Sequence, residues 1–224
     1  MSSRVGDAKR PYDARKRRER AEEERRATRT RVVEAATRLF ETKGYRGTTM
    51  ADIAREAGVA MQSVYSAGRS KADLLNAAVQ RAVAGDDQEV LVHDRPAFVA
   101  VAGETDAVRQ VEIVAGLTCE IHQRSEPMQA AQREAAAYDP AVAATLDAAH
   151  RLRWETFRAL IAMLPADKLR TTPEASTDTA WAVASAEVFL LLRRVLGWSW
   201  DEIRLWLART LVDLLLVPPH SGDS

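Results

Sequence analysis

The residues able to do chemistry in this 224-residue chain do not assemble into a catalyst. There are four histidines and one cysteine, and none of them pair at metal-ligand spacing. Cys119 has no basic neighbour in sequence to lower its pKa, so it reads as a core thiol. His122 and His150 read as core or surface histidines sooner than as ligands. There is no glycine-rich phosphate loop, nucleophile elbow or acidic pair. The expectation is a protein with no catalytic residue, no cofactor and no metal, and therefore not an enzyme.

One polar stretch does suggest a task. Glu56 to Leu75 reads EAGVAMQSVYSAGRSKADLL. It is too polar and too interrupted by Gly58 and Gly68 to be a core helix. A lone large aromatic, Tyr65, sits among small and polar neighbours. Its place, three residues before a glycine, needs an explanation other than core packing.

The charge distribution suggests one. The formal net charge is zero, yet residues 1–85 hold 19 Lys and Arg against 11 Asp and Glu, a net +8. Residues 86–224 hold 13 against 21, a net −8. A basic first third suits a polyanion, and the acidic remainder does not.

The elements that position these residues are helical. Hydrophobic residues make up 46% and aromatics 6%, and alanine, the best helix former, is abundant. No apolar run reaches the roughly 18 residues that span a bilayer. The charged start lacks the apolar core of a secretory signal. With one cysteine, the chain fits a reducing cytoplasm.

Residues 1–27 form a basic extension, expected to be flexible. Its RKRRERAEEERR, Arg15 to Arg26, has no large apolar residue. It reads either as a solvated, partly helical tail with Glu22 and Arg26 at i,i+4, or as an arm touching DNA phosphates or a minor groove. From Thr28 the pattern changes. Val32, Ala35, Ala36, Leu39 and Phe40 share one helical face, and Gly44 ends that helix. Thr49 with Asp52 matches a capping box for a second helix, with Thr48 as the alternative cap. Ile53, Ala54 and Ala57 face inward there, and Gly58 closes it. A short third helix covers Met61 to Ser66. A fourth begins near Ser70 and carries Leu74, Leu75, Ala78 and Val79.

Two helices joined through Ala57-Gly58-Val59-Ala60 and followed by a short one have the form of a helix-turn-helix. Gly58 permits a tight turn and Val59 packs beneath it. The third helix can then enter a major groove and bring its N-terminal residues to base edges. Tyr65 would pack its ring on the first helix and send its hydroxyl to a phosphate.

Gly44 to Leu75, GYRGTTMADIAREAGVAMQSVYSAGRSKADLL, resembles the DNA-binding domain of the tetracycline-repressor-like (TetR) family. The likeness covers about 50 residues, Thr28 to Val79, with glycines, caps, apolar positions and the Tyr65 and Lys71 pair in register. It implies an all-α fold: an N-terminal three-helix head, residues 28–80, a larger helical ligand-binding and dimerisation domain, residues 81–217, and a tail, 218–224. It implies that Thr49, Tyr65 and Lys71 hold phosphates, with Ser63 supplying the hydroxyl of the family's usual threonine. Met61 and Gln62 lie where bases are read. Gln62 is the better reader, while Met61 touches a thymine methyl or only fills the groove. Arg46, Thr48, Ala60, Ser66 and Arg69 complete the expected DNA face. Two positions depart from the family pattern. Ala60 replaces the usual serine cap. Gly68 replaces a ring that packs between the third and fourth helices, so either another side chain fills the gap or the head is looser.

Beyond Gly85 the pattern predicts helices over Pro96–Ala102, Thr105–Arg124, Met128–Ala137, Pro140–Leu164, Ser176–Leu196 and Trp200–Val217, with a break at Pro127. Val114, Leu117, Cys119, His122, Trp154 and Phe157 are the expected lining of a ligand pocket. Val188, Leu191, Leu192 and Val195 on one helix, and Ile203, Leu207, Thr210, Leu211 and Leu214 on the next, are the expected dimer face. Trp198 and Trp200 read as structural anchors. The function expected is a homodimeric, sequence-specific DNA-binding transcriptional regulator, a repressor released from a palindromic operator by a small apolar effector. The alternative is an architectural or partner-controlled DNA binder without an effector.

Overall fold

In the computed structural model the described residues are 10–85 and 96–218, the side chains of residues 10–14 and 97 aside. The expected tail beyond Pro218 and the start of the expected N-terminal extension lie outside them. The chain divides into two compact units, Met1–Ala78 and Val79–Ser224.

The first unit is built on helix α1, Arg10–Lys43, 34 residues long. Its second half buries Val32, Val33, Ala35, Ala36, Leu39 and Phe40, the apolar stripe the periodicity predicts. The helix does not begin at Thr28, however. It continues back through Arg15–Arg26, where only Ala21 is even half-buried. Extending a helix that already exists avoids the unfavourable nucleation step. Glu22 pairs with Arg26 at 3.7 Å and Arg25 at 3.9 Å, and Arg15 with Glu19 at 3.3 Å. Each such pair adds a few tenths of a kcal/mol.

Helices α2 (Met50–Ala57) and α3 (Met61–Ala67) cross the buried end of α1, and α4 (Lys71–Ala84) follows. Gly58 sits at φ +64, the left-handed conformation that the turn between α2 and α3 requires. Ile53, Ala54, Val64, Ala72, Leu74 and Leu75 close the small core. Val59 is half-buried.

The second unit holds α5 (Pro96–Gly103), α6 (Ala107–Ala136), α7 (Pro140–Ile161), α8 (Pro173–Val183), α9 (Ala186–Arg194) and α10 (Trp200–Leu215). A 3-10 turn, Ala166–Lys168, precedes an isolated bridge between Leu169 and Leu216. The last carbonyls of α4 are capped within this unit: Arg124 donates to Ala82 at 3.0 Å and Val83 at 2.6 Å.

Two expected boundaries are corrected. Pro127 does not break a helix but lies inside the 30-residue α6. Ser125, Met128, Gln132 and Ala135 are buried on both sides of it, so packing holds the backbone in line where the proline removes a donor. The Ser125 hydroxyl donates to the Ile121 carbonyl at 2.6 Å and accepts from Gln129 at 2.8 Å, stitching that stretch together. Conversely, the run from Ser176 to Leu196 is two helices. Ser185 starts α9 as an N-cap, accepting from the Val188 N–H at 3.3 Å.

The core of this unit lies between α6 and α10. Ile203, Leu207, Leu211 and Leu215 form a fully buried ridge on α10. They pack with Val111, Ala115 and Cys119 of α6, Phe157 and Ile161 of α7, and Phe189 and Leu192 of α9. The expected dimer face is therefore corrected in part. Ile203, Leu207, Leu211 and Leu192 are internal, and Val188 and Thr210 are half-buried. Leu191, Val195 and Leu214 are exposed, as are Leu196 and Leu205, which the helical spacing does not single out.

Candidate nucleic-acid interface and effector cavity

The recognition surface is organised by one inward residue. Val64 is fully buried, which turns the opposite side of α3 outward. Met61, Gln62, Tyr65 and Ser66 are exposed there, and Arg69 is exposed just beyond. Ser63 is half-buried. Tyr65 is 47% exposed, so its ring is not part of the core; the buried residue of α3 is Val64. The Ser66 hydroxyl donates back to the Gln62 carbonyl at 2.9 Å, which draws it away from any outside acceptor.

The start of α2 shows which polar groups are committed. Thr49 forms the expected capping box with Asp52: its oxygen accepts from the Asp52 N–H at 3.1 Å, and its hydroxyl donates to Asp52 Oδ2 at 2.7 Å. The Thr49 hydroxyl proton is thus already given to Asp52 in this arrangement. Those hydrogen bonds from the Thr49 side chain and backbone lower the Asp52 pKa, keeping it ionised. Thr48 is corrected outright. It is fully buried, and its hydroxyl donates to the carbonyls of Gly44 at 2.9 Å and Leu39 at 3.2 Å. It ties the end of α1 to the turn and cannot reach DNA.

Lys71 has an internal role that its sequence position does not reveal. Its ammonium donates to the Tyr45 carbonyl at 2.7 Å and the Thr48 carbonyl at 3.0 Å, and sits 4.1 Å from the Tyr45 ring centre. It fastens the start of α4 to the loop between α1 and α2. Arg46 is exposed beside it.

Both departures from the family pattern have a physical outcome. Ala60 makes no side-chain cap at the start of α3. Gly68 is buried, and a Cβ there would stand 2.7 Å from Leu74 Cδ2 and 2.8 Å from Cγ. Leu74 occupies the gap left by the absent ring. The junction of α3 and α4 is filled, not loose.

In the second unit, Val114 and Phe157 line a small cavity with Val101, Leu160, Leu211 and Leu215. Its volume is about 20 Å³, room for little more than one water. Gln110 is its polar point, only 3% exposed. Its amide nitrogen donates to the Val101 carbonyl at 3.1 Å and the Met163 carbonyl at 3.5 Å. That fixes the side chain and leaves Oε1 buried with no partner among the described residues.

The other expected lining residues lie elsewhere. Leu117 packs on the neighbouring Phe98, Val101 and Leu160 cluster. Cys119 is core, its thiol pushed up to about 11 by burial. Trp154 is held outward by donating to Asp178 at 2.8 Å. His122 faces a separate cleft, with Nδ1 3.3 Å from Gln129 Oε1 and its ring edge-on to Phe189. Burial, with Arg153 nearby, lowers its pKa to about 4, so it is neutral at physiological pH.

A glycine turn, a capped second helix and a short third helix with one side buried and the other exposed define a helix-turn-helix head on an all-helical body. Residues 32–78 match the sequence model for bacterial regulatory proteins of the tetR family. Over 58 residues the chain is 43% identical to the HTH-type transcriptional regulator TtgR of Pseudomonas putida, a match covering 26% of this chain and 28% of that protein. The chain thus spans about a quarter of that curated relative's length. Solved structures share the fold much further. NalD of Pseudomonas aeruginosa, the secondary repressor of the MexAB-OprM multidrug efflux pump, superposes with a TM-score of 0.66 at 19% identity over 86% of this chain and 98% of its own. A regulator from Saccharomonospora viridis, crystallised with choline, gives 0.62 at 18% identity over 85% and 98%. Among the described residues no helix is long and apolar enough to cross a membrane, and no cluster of side chains has metal-ligand form.

Proposed function

We propose that the protein is a transcriptional regulator that binds DNA as a homodimer, inserting α3 of each copy into successive major grooves of a pseudo-palindromic operator. The observation that carries this reading is the exposed row of Met61, Gln62 and Tyr65 on a helix whose other side is sealed by Val64. Gln62 reads a base, with Met61 beside it. The Tyr65 hydroxyl, Arg46 and Arg69 hold phosphates, with Ser63 at the margin. Half-sites would stand about 34–36 Å apart.

Selection of bound DNA from a random pool, followed by titration of the selected site, tests this. Gln62→Ala should relax preference at one base position at a cost of roughly 1–3 kcal/mol, whereas Tyr65→Phe should weaken all sequences together and shrink the salt slope. Unchanged preference in Gln62→Ala would sink the base-reader assignment.

The finer reading is a repressor that leaves its operator when a small, largely apolar molecule binds in the second unit. The apolar cavity at Val114 and Phe157 supports it, with Gln110 Oε1 ready to accept one hydroxyl or N–H from the effector. The S. viridis fold relative bound to choline is consistent with a small-molecule site in this fold. A coupling of about 1–3 kcal/mol would change operator occupancy 5–150-fold. The effector-free alternative rests on the cavity's size, about 20 Å³. A thermal-shift screen against a metabolite panel, with operator release as second readout, separates the two. A hit that Gln110→Leu abolishes supports the effector, while a blank screen supports the alternative.

A further inference from the structure

A second cleft in the C-terminal unit, between α6, α9 and the first turn of α10, has a different chemistry. Its walls include Glu126 and Arg133 on α6, Phe189 and Arg193 on α9, and Trp200, with His122 at its inner end. The Arg193 guanidinium lies 5.3 Å from the Trp200 ring centre, and its Nη1 donates to the Trp198 carbonyl at 2.9 Å. Those contacts fix the plane of the group. Its Nε–H is then buried with no partner among the described residues. An ionised donor removed from water and left without an acceptor is a deficit that a ligand can fill.

The charge around the cleft has the matching sign. Arg133 is half-buried and its pKa is lowered chiefly by that burial, with Glu187, Arg194 and Glu126 as the charges around it. Glu126 is engaged with Arg194 only at 4.0 Å. Among the lining residues two guanidinium groups, Arg133 and Arg193, therefore face one carboxylate, Glu126, and His122 is neutral and adds no charge. The remaining wall is aromatic, with Phe189 and Trp200 edge-to-face at 6.1 Å. The enclosed volume is about 10 Å³, the room of a single oxygen atom and not of a tetrahedral phosphate head.

We propose that this cleft binds an aromatic monocarboxylate. One carboxylate oxygen enters to accept from Arg193 Nε–H, Arg133 supplies the counter-charge, and the ring rests at the mouth against Phe189 and Trp200. The site is distinct from the apolar cavity at Gln110 and does not depend on the DNA-binding reading.

The test is direct binding to the full-length protein, followed by tryptophan fluorescence and thermal denaturation. Benzoate should give a saturable fluorescence change and raise the melting temperature, and its neutral isostere benzamide should do neither. Arg193→Gln and Arg133→Gln should each weaken benzoate by about tenfold or more, as removing a charge-assisted hydrogen bond does. Arg133 makes no structural hydrogen bond among those described, so it remains informative if Arg193→Gln fails to fold. Glu126→Gln, which removes a competing anion, should tighten binding, an effect that poorer packing would not produce. Equal responses to benzoate and benzamide, no saturable response, unchanged affinity in a folded Arg133→Gln variant, or no tightening in Glu126→Gln would each overturn the proposal.

Discussion

Ala60 and Gly68 bracket the recognition helix, and each makes a measurable prediction. The backbone at Ala60 already has the extended geometry of an N-cap, with φ −67 and ψ 151. Ala60→Ser should therefore supply the missing acceptor and add about 1 kcal/mol, read as a higher melting temperature. Gly68→Phe should not restore the family's packing, because Leu74 already occupies that space. It should destabilise by roughly 1–3 kcal/mol, as overpacking does, and Leu74→Ala in the same chain should recover part of that stability in a double-mutant cycle. His122 carries a pH signature. Its pKa falls from the ordinary 6.5 to about 4 on folding, so between those values the unfolded chain binds a proton that the folded chain excludes. The stability this histidine contributes is intact above about pH 6.5 and is lost as pH falls toward 4, by up to roughly 3 kcal/mol. His122→Gln should flatten that acid-side decline in denaturant titrations; an unchanged slope would contradict it. At this scale the exposed position of Gln62, the Thr49 capping box and the missing cap at Ala60 are legible in sequence, because each depends on near neighbours. Thr48 and Lys71 are not, because their partners, Leu39 and Tyr45, are brought to them by the turn after α1.

Among the elements, the head is more legible than the body. Its caps and glycines lie at fixed short offsets, which is why α2 and α3 fall where the pattern puts them. Pro127 misleads because the cost of a proline is local while the reward for continuing α6, the burial of Met128, Gln132 and Ala135, comes from other helices. Ser185 escapes notice because the run around it is apolar on both sides, and periodicity does not register a cap within such a run. The polar first half of α1 offers a test of its own. If Arg15–Arg26 meets phosphates, removing residues 1–27 should leave the head folded and reduce the slope of log K against log salt by about one unit for each phosphate the segment neutralises. An unchanged slope would assign the segment to solvent.

For the whole molecule, the charge split predicts which end meets a polyanion, and the exposed apolar side chains predict what meets a second copy. Leu191, Val195 and Leu196 near the end of α9, and Leu205 and Leu214 on α10, are exposed without a partner in a single chain. We expect Leu191→Glu with Val195→Glu to shift sedimentation from dimer to monomer and to abolish tight binding to a two-half-site operator, with the helical circular dichroism unchanged. A mutant that remains dimeric would move the interface elsewhere. The division of α10 into a buried ridge and an exposed one is not legible, because both read as apolar at helical spacing and only the packing of α6 decides between them.

The fit of Leu74 against Gly68 also bears on building chimaeras. A recognition helix transplanted from a ring-bearing relative to change operator specificity would bring a side chain into space that this host has filled with another. Such a graft must carry position 74 along with positions 60–68. The exchangeable module of this head is thus longer than the helix that reads the DNA.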